Sequence, residues 1–192
     1  MKNDALLVVI SGAAGTGKGT VVEELAKDSN IRVSVSATTR QPRGKEVNGR
    51  EYHFLSREKF SEMIKENGFL EYAEYVGNCY GSPRRQAEEW MEQGNDVILE
   101  IEVQGCQQVK ANRPDCVSIF ILPPSMEELE NRLRNRGTET EEQIKARLGR
   151  AKEELKLAQT YDYQVVNDTV EACVGRIREI FRTEKEKRQQ IR

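Results

Sequence analysis

The 192-residue chain has little of what builds redox, metal or membrane sites. It contains a single histidine, His53, and four cysteines whose spacing includes no CxxC pair. One histidine excludes a histidine-based metal cluster, and cysteines without a framework pattern are expected to be free thiols. No apolar run approaches the roughly 18 residues of a membrane-spanning helix, and no basic segment followed by an apolar one opens the chain. We therefore expect a cytoplasmic protein with no membrane partner.

An excess of charge of one sign is also lacking. The chain carries 30 basic and 32 acidic residues, a net charge of −2. Nucleic-acid and membrane-surface binders generally present a broad basic surface, so no nucleic-acid partner is expected, and any anion site must be local. A chain of this length with 37% hydrophobic residues is long enough for one sizeable α/β core with small appended lobes.

A glycine-rich stretch, GAAGTGK at residues 12–18, is the most informative part of the chain. It follows an apolar run at residues 5–10 and precedes a helix-like segment at 19–27. Its glycines let successive backbone N–H groups turn towards a polyphosphate, the helix N-terminus adds partial positive charge, and Lys18 supplies a full charge to the β- and γ-phosphates. This order predicts a P-loop that binds a nucleoside triphosphate. The residues assigned to it are Gly12, Ala13, Ala14, Gly15, Thr16, Gly17, Lys18, Gly19 and Thr20.

The residue after Lys18 departs from the usual P-loop pattern. It is Gly19, where a serine or threonine normally reaches Mg²⁺, and Thr20 comes one residue later. Either Thr20 supplies the hydroxyl, or the metal is held mainly by nucleotide oxygens and water, as Mg²⁺ often is. No metal ligand is assigned beyond this candidate position near Thr20.

Apolar runs alternate with helical patterns along the chain. Strands are predicted at 5–10, 97–101, 117–122 and 163–166, and helices at 82–93, 104–111, 125–135 and 170–187. This alternation predicts an α/β fold with three layers, a parallel sheet covered by helices on both faces. The polar stretch at 182–192 is expected to fray.

Two segments interrupt the alternation. Residues 33–81 carry short alternating runs that suggest a small inserted β-rich lobe. Residues 132–158 form a highly charged helical pair, whose second helix opens with a capping box of Thr140 and Gln143. The pair is either a mobile lid or a solvated helical hairpin. We expect one domain over 1–192, with a core at 1–32, 83–124 and 159–192, a lobe at 33–82 and a lid at about 125–158.

Arginines are the candidates for handling phosphate. Arg40 and Arg43 flank Pro42, which limits local flexibility, so the two guanidinium groups either converge on one dianion or form an exposed basic turn. Arg132 and Arg136 are four residues apart on one helical face, and Arg147 lies on the next helix. If the helical pair closes over the P-loop, these three meet the transferring phosphate.

Carboxylates end one predicted strand. Strand alternation places Glu100 and Glu102 on one face, at the carboxyl edge of the sheet where ligands bind. They orient Mg²⁺ through water, face the acceptor nucleotide, or pair with a local arginine. In the lobe, a carboxylate such as Glu71 suits the adjacent N1–H and 2-amino donors of guanine, and a serine hydroxyl suits its O6.

Several motifs together resemble one family. They include SVSATTRQPR at 34–43, LEYA at 70–73 with GNCYGS at 77–82, EIEVQG at 100–105, ILPPS at 121–125, RLRNRGT at 132–138 and YDYQVVND at 161–168. In this order they are similar to guanylate kinases, over residues from about 6 to 180. The resemblance implies a P-loop core, a GMP-binding lobe and a lid.

The resemblance also implies roles for individual residues. Arg40, Arg43, Tyr52 and Tyr80 take the GMP phosphate, Glu71 and Ser82 read guanine, and Ser36 assists. From their place at the strand end, Glu100 and Glu102 are added to the candidate GMP site. Lys18, Arg132, Arg136 and Arg147 are implied to stabilise the transferring γ-phosphoryl group, and Arg40 is added to them as a candidate catalytic residue. Asn167 lies near the adenine of ATP, and Mg²⁺ accompanies ATP.

The resemblance is not complete. The family usually has Pro-Ser at Ala13-Ala14 and Asp at Glu102, which leaves the role of Glu102 open. The implied activity is phosphorylation of GMP, and of dGMP, by ATP through direct in-line transfer. A non-catalytic protein-binding module of the same fold and a kinase for another phosphorylated acceptor remain as alternatives, and the oligomeric state stays open.

Overall fold

A computed structural model describes residues 4–135, 137 and 140–190. Its strands, in chain order, are β1 (Leu7–Ser11), β2 (Ile31–Val33), β3 (Ala37–Thr38), β4 (His53–Phe54), β5 (Phe69–Tyr75), β6 (Asn78–Pro83), β7 (Asp96–Glu100), β8 (Val117–Leu122) and β9 (Tyr163–Val166). Its helices are α1 (Lys18–Leu25), α2 (Arg57–Lys65), α3 (Arg84–Glu92), α4 (Val103–Asn112), α5 (Met126–Asn135), α6 (Glu141–Lys156) and α7 (Val170–Gln190), with a 3-10 turn at Leu157–Thr160.

The central sheet is parallel, in the order β2-β7-β1-β8-β9. Val9 of β1 lies beside Leu99 of β7 and Ser118 of β8, so β1 sits in the middle. All five residues of β1 are buried, as expected of a strand covered on both faces. The predicted three-layer α/β fold is therefore confirmed.

Each face of the central sheet has its own apolar core. Val8 and Ile10 pack with residues of α1 and α7, including Leu25 and Ile177. The alternate residues of β1, Leu7 and Val9, pack on the opposite side with residues of α3 and α4. Burying each such side chain contributes about 1.5–3 kcal/mol, so these two clusters supply the main stabilising term.

A second, mixed sheet forms the lobe, in the order β4-β3-β6-β5. The helix α2 also belongs to this segment and was not predicted; Phe60 is its buried residue and stacks on Phe69 with ring centres 4.4 Å apart. The strand β2 was missed as well. It reaches Val33 and pairs with Ile98 in the central sheet, so the sheet extends into the start of the segment expected to form the lobe.

The hairpin between β5 and β6 turns at Val76 and Gly77. Both have positive φ, 47° and 71°, which is the backbone of a two-residue hairpin loop. Glycine adopts this conformation freely, whereas a β-branched valine is strained in it. Val76 is also 79% exposed, so its side chain does not stabilise the turn by burial.

The predicted helical pair consists of α5 and α6. The capping box is confirmed: the Gln143 N–H donates to the Thr140 hydroxyl at 3.3 Å, and the Thr140 N–H donates to the Gln143 side chain at 2.9 Å. Leu129, Leu133 and Ile144 pack between the helices and against Ala13 of the glycine-rich loop. The base of the pair therefore packs on the glycine-rich loop.

The C-terminal helix α7 does not fray over its described length, contrary to expectation. Lys185 pairs with the buried Asp96, the first residue of β7, at 2.6 Å. Arg188 donates to the carbonyl of Ala5, before β1, at 3.0 Å, and to that of Asp115, before β8. The last turns of α7 therefore fasten the amino ends of three central strands. Among the described helices, none is long and apolar enough to cross a membrane.

Candidate nucleotide and phosphoryl-transfer site

The glycine-rich loop joins β1 to α1 at the carboxyl edge of the central sheet. Gly15 and Gly17 have φ of 91° and 83°, and the Thr16 N–H donates to the carbonyl of Ala13 at 3.2 Å. A β-carbon at Gly12 would lie 2.7 Å from the carbonyl oxygen of Ile121, so glycine is required there for close approach. Because Gly17 caps α1 without a side chain, the first N–H groups of the helix remain available to an anion.

Asn167 anchors the loop from the end of β9. Its side-chain amide donates to the carbonyl of Thr16 at 2.7 Å, and a β-carbon at Gly17 would lie 2.6 Å from the same nitrogen. Asn167 is 3% exposed, and its Oδ1 is buried without a hydrogen-bond partner in the described residues. The residue predicted to lie near adenine therefore holds the glycine-rich loop in place.

Arg132 of α5 lies against the same loop. Its guanidinium donates to the carbonyl of Asn167 at 3.1 Å and to that of Thr16 at 3.5 Å, and its Nε bonds with Glu128 at 2.8 Å. The structure thus brings this predicted phosphate ligand to the P-loop. Arg147 is exposed on α6. Arg136, also assigned to catalysis, lies outside the described residues.

The two carboxylates predicted to end one strand, Glu100 and Glu102, lie on different elements. Glu100 is the last residue of β7, and its Oε1 lies 3.8 Å from where a β-carbon would stand at Gly19, so it faces the start of α1. Glu102 is the exposed N-cap residue of α4. The strand ends before it, so strand alternation does not place it. Burial and the charge of Glu102 raise the pKa of Glu154 on α6, whereas Lys18 opposes that rise.

Arg40 and Glu46 form the charged centre of the lobe. Two parallel hydrogen bonds of 2.7 and 3.0 Å join the guanidinium to the carboxylate, and the backbone N–H of Arg43 donates to the same carboxylate at 2.7 Å. These donors hold the pKa of Glu46 to about 2, and Glu46 raises the pKa of Arg40. The Arg43 side chain is exposed, so Glu46 links the side chain of one arginine to the backbone of the other.

Aromatic rings surround this ion pair. The Cζ of Arg40 lies 5.1 Å from the ring centre of Tyr52 and 5.7 Å from that of Phe54. The rings of Tyr52 and Tyr80 meet edge to face at 6.0 Å. Three of the four predicted phosphate ligands, Arg40, Tyr52 and Tyr80, are therefore adjacent. Glu46 was missed because a loop, not a periodic element, returns it to Arg40.

Glu71 and Ser82 face each other across the β5–β6 pair. Their register places them opposite, and the Ser82 hydroxyl donates to Glu71 Oε1 at 2.7 Å. Glu71 is 8% exposed, and burial raises its pKa. Ser36, just before β3, is half-buried, and its carbonyl accepts from the His53 N–H at 2.9 Å. The antiparallel register thus assembles two predicted guanine ligands that sequence spacing left apart.

Comparisons with known proteins agree with this geometry. A family model described as guanylate kinase matches residues 4–184. Guanylate kinase of Clostridium tetani is 52% identical over 94% of this chain and 86% of its own length, and that of Halalkalibacterium halodurans is 52% identical over 99% and 94%. The crystal structure of guanylate kinase from Anaplasma phagocytophilum superposes with a TM-score of 0.76 at 36% identity, covering 96% of this chain and 88% of that one. The chain belongs to the guanylate kinase family.

Proposed function

We propose that this chain phosphorylates GMP, and dGMP, with ATP, releasing the nucleoside diphosphate and ADP. The observation that carries the proposal is the buried Glu71–Ser82 pair. Among the described residues no lysine or arginine acts on Glu71, whose neighbouring donors come from Ser82, so the carboxylate is buried without a cation. A buried carboxylate is costly unless donors satisfy it, and the N1–H and 2-amino groups of guanine are two adjacent donors that fit one carboxylate.

The GMP phosphate is proposed to bind at the Arg40 corner. Arg40, Arg43, Tyr52 and Tyr80 supply donors to its oxygens, and Glu46 fixes the guanidinium orientation beforehand. Ser36 lies just before β3, where its carbonyl accepts from the His53 N–H, and it is proposed to assist Glu71 and Ser82 in holding the nucleotide. Arginine forks match phosphate geometry, so the corner orients the acceptor oxygen towards the P-loop.

The transfer step is a direct displacement. An oxygen of the GMP phosphate attacks the γ-phosphorus of ATP, the bond from γ-phosphorus to the β–γ bridging oxygen breaks, and ADP carries away the electron pair. That phosphate oxygen is already anionic near neutral pH, so no strong base is needed. Lys18, Arg132, Arg136 and Arg147 are proposed to balance the charge on the moving phosphoryl group, with Arg40 holding the acceptor.

The residues near α1 fit a divalent metal that accompanies ATP. Glu100 offers a carboxylate oxygen 3.8 Å from where a β-carbon would stand at Gly19, and the next residue, Thr20, is exposed and carries a hydroxyl. Mg²⁺ prefers such oxygen ligands and keeps several of its waters. When bound, the metal would neutralise charge on the β- and γ-phosphates. Glu100 and Thr20 are its proposed neighbours, with Glu102 facing the cleft beside them.

The three-part organisation is part of the proposal. The core at 1–32, 83–124 and 159–192 binds ATP, the lobe at 33–82 binds GMP, and the lid at about 125–158 covers the transfer. Covering the site excludes water, which would otherwise compete with GMP for the γ-phosphoryl group. The proposed location is the cytoplasm, where both nucleotides are available.

A coupled ADP-release assay tests the function. The purified protein is given Mg·ATP with GMP, dGMP, AMP, CMP or UMP in turn. We expect ADP release with the two guanine nucleotides, and a loss in kcat of roughly 100-fold or more for Lys18→Met. The matched control is Lys27→Met, at the exposed end of the same helix region. ADP release only with another nucleotide would overturn the substrate assignment, and none with any nucleotide would favour a non-catalytic module.

A further inference from the structure

The lid helix α6 touches the lobe through Arg150. Its Nη1 lies 3.4 Å from the Oη of Tyr75, and its Cζ lies 5.4 Å from the centre of that ring. Tyr75 is the last residue of β5, so the contact joins elements 75 residues apart in the chain. A guanidinium over an aromatic face, with a hydrogen bond to its hydroxyl, is an attractive arrangement at a partly exposed surface.

The arginine side of this contact is held in place. The Nε of Arg150 bonds with Glu154 Oε1 at 3.1 Å, one helical turn later. The Glu154 side chain is 15% exposed, whereas that of Arg150 is 52% exposed. The guanidinium is therefore anchored on a half-buried carboxylate and directed from α6 towards the lobe.

The tyrosine side is also held. Tyr75 directly precedes the turn at Val76 and Gly77, and Arg57 of α2 donates to the Gly77 carbonyl from the body of the lobe. Val76 keeps a positive φ of 47° although it is β-branched and exposed. A strained backbone that packing does not explain is often maintained for function. Here the turn presents the Tyr75 ring to α6.

Arg150 is also a neighbour of a proposed catalytic group. Arg147 lies three residues earlier on α6, and residues three apart occupy the same helical face. Fixing Arg150 against the lobe therefore restricts where Arg147 can lie relative to a nucleotide bound in that lobe.

We propose that Arg150 is a positioning residue that fastens the lid to the tip of the GMP lobe through Tyr75. The proposal rests on the proposed function, because it gives the fastening a role in holding both substrates in one closed site. Loss of the fastening lowers the population of the closed state, so the apparent affinities for ATP and GMP fall together while the transfer step itself is unchanged.

A double-mutant cycle tests this role. Arg150→Met keeps the length of the side chain, and Tyr75→Leu keeps an apolar contact without the ring or hydroxyl. We expect each single variant to raise KM for both ATP and GMP about three- to tenfold with kcat largely kept. The double variant should match the single ones, because both remove the same contact. Lys152→Met, the same charge change at an exposed site of α6, should leave KM unaltered.

Hydrogen–deuterium exchange on the nucleotide-free protein gives a readout independent of activity. We expect Arg150→Met to speed exchange both in the hairpin at 72–79 and in α6, and Lys152→Met to leave the hairpin unchanged. Unaltered hairpin exchange, or additive KM effects in the double variant, would overturn the proposal. If the wild type lacks GMP kinase activity, the proposed function fails, while the exchange result still decides whether Arg150 fastens lid to lobe.

Discussion

Gly105 stands so close to Glu71 that a β-carbon at residue 105 would lie 2.8 Å from the carboxylate Oε2. The approach is set by α4, which docks on β5 through Gln108: its side chain accepts from the Tyr72 N–H at 3.1 Å and donates to the Tyr72 carbonyl at 3.0 Å. Asn112 adds a bond of 2.8 Å to the carbonyl of Leu70. The proposed guanine ligand therefore lies where the lobe joins the core.

Substituting Gly105→Ala should weaken GMP binding selectively. The new methyl group would displace the Glu71 carboxylate, so we expect KM for GMP to rise about tenfold with little change in KM for ATP. Initial-rate kinetics with each substrate varied measures this. Gly175→Ala in α7 is the matched control, since no atom lies within 4 Å of its added β-carbon; it should keep KM and gain up to about 1 kcal/mol in unfolding free energy.

Substituting Glu71→Gln should reduce kcat/KM for GMP by roughly 10- to 100-fold, because hydrogen bonds from two guanine donors to a charged acceptor become bonds to a neutral amide with one acceptor. Preference for GMP over AMP, measured in the ADP-release assay, should fall accordingly. Glu74→Gln, at an exposed glutamate of the same strand, serves as the control. An undiminished preference would show that Glu71 does not read guanine.

The same substitution should change how stability depends on pH. Burial raises the pKa of Glu71 above its ordinary value of 4.5 in the folded protein. At a pH between the pKa of the unfolded chain and the raised pKa of the folded protein, Glu71 is ionised in the unfolded chain but still protonated in the folded one. The free energy of unfolding of the wild type therefore falls as pH rises through that interval. Urea unfolding from acid to neutral pH should show Glu71→Gln gaining relative to the wild type as pH rises. A difference that is constant with pH would contradict the buried-carboxyl account.

Substituting Gly17→Ala should disable the phosphate-binding loop. Alanine at φ 83° is strained, and its β-carbon would lie 2.6 Å from the Asn167 amide that holds Thr16. We expect kcat/KM for ATP to fall roughly 10- to 100-fold, with binding of GMP alone, measured by calorimetry, unchanged. Gly94→Ala, at an exposed turn after α3, has a similar φ of 93°, so it should retain ATP affinity. Equal losses in both variants would indicate general strain rather than a loop effect.

Substituting Lys185→Met should destabilise the fold without affecting the site. Among the described residues, it leaves the buried Asp96 carboxylate with only the Leu6 N–H as a donor, at 2.9 Å, so we expect a loss of about 1–3 kcal/mol in unfolding free energy. Chemical denaturation measures this, and KM values should not move. Arg182→Met, which removes only exposed pairs on the same helix, should change stability by less than about 0.5 kcal/mol. Equal losses of unfolding free energy in the two variants would show that the pair with the buried Asp96 stabilises the fold no more than an exposed ion pair does.

Strongly patterned elements were predictable from the sequence. The predicted bounds of β8 and β9 match the structure at every residue. Each strand is a short, uninterrupted run of residues that favour β-structure, and Pro123-Pro124 ends β8. The capping box of α6 and the P-loop context also rest on local chemistry that needs no long-range contact. The family motifs supplied the remaining assignments at residues such as Ser36, which spacing alone does not select.

Elements defined by tertiary contact were not predictable. The strand β2 has three residues, one of them the exposed Arg32, so its pattern is too short to read. The end of α7 is polar, yet its Lys185 and Arg188 bond with residues at the amino edge of the central sheet, which are distant in the sequence. The hydrophobic pattern of the sequence does not mark Glu46 or Gly105. Glu46 reaches Arg40 from a loop, and Gly105 matters because the absence of a side chain leaves room for Glu71.

Because α7 bonds to one edge of the central sheet and the P-loop lies at the other, the two edges have separate roles. Its ion pair and backbone bonds hold the amino ends of β1, β7 and β8, whereas the P-loop and Glu100 stand at their carboxyl ends. Strands of five or six residues keep these edges about 17–20 Å apart, farther than the roughly 7–10 Å over which substitutions usually interact. Changes at one edge should therefore register as altered thermodynamic stability and changes at the other as altered nucleotide affinity. The effects of substitutions at the two edges should be additive. Stability and nucleotide affinity can therefore change independently of each other through mutation.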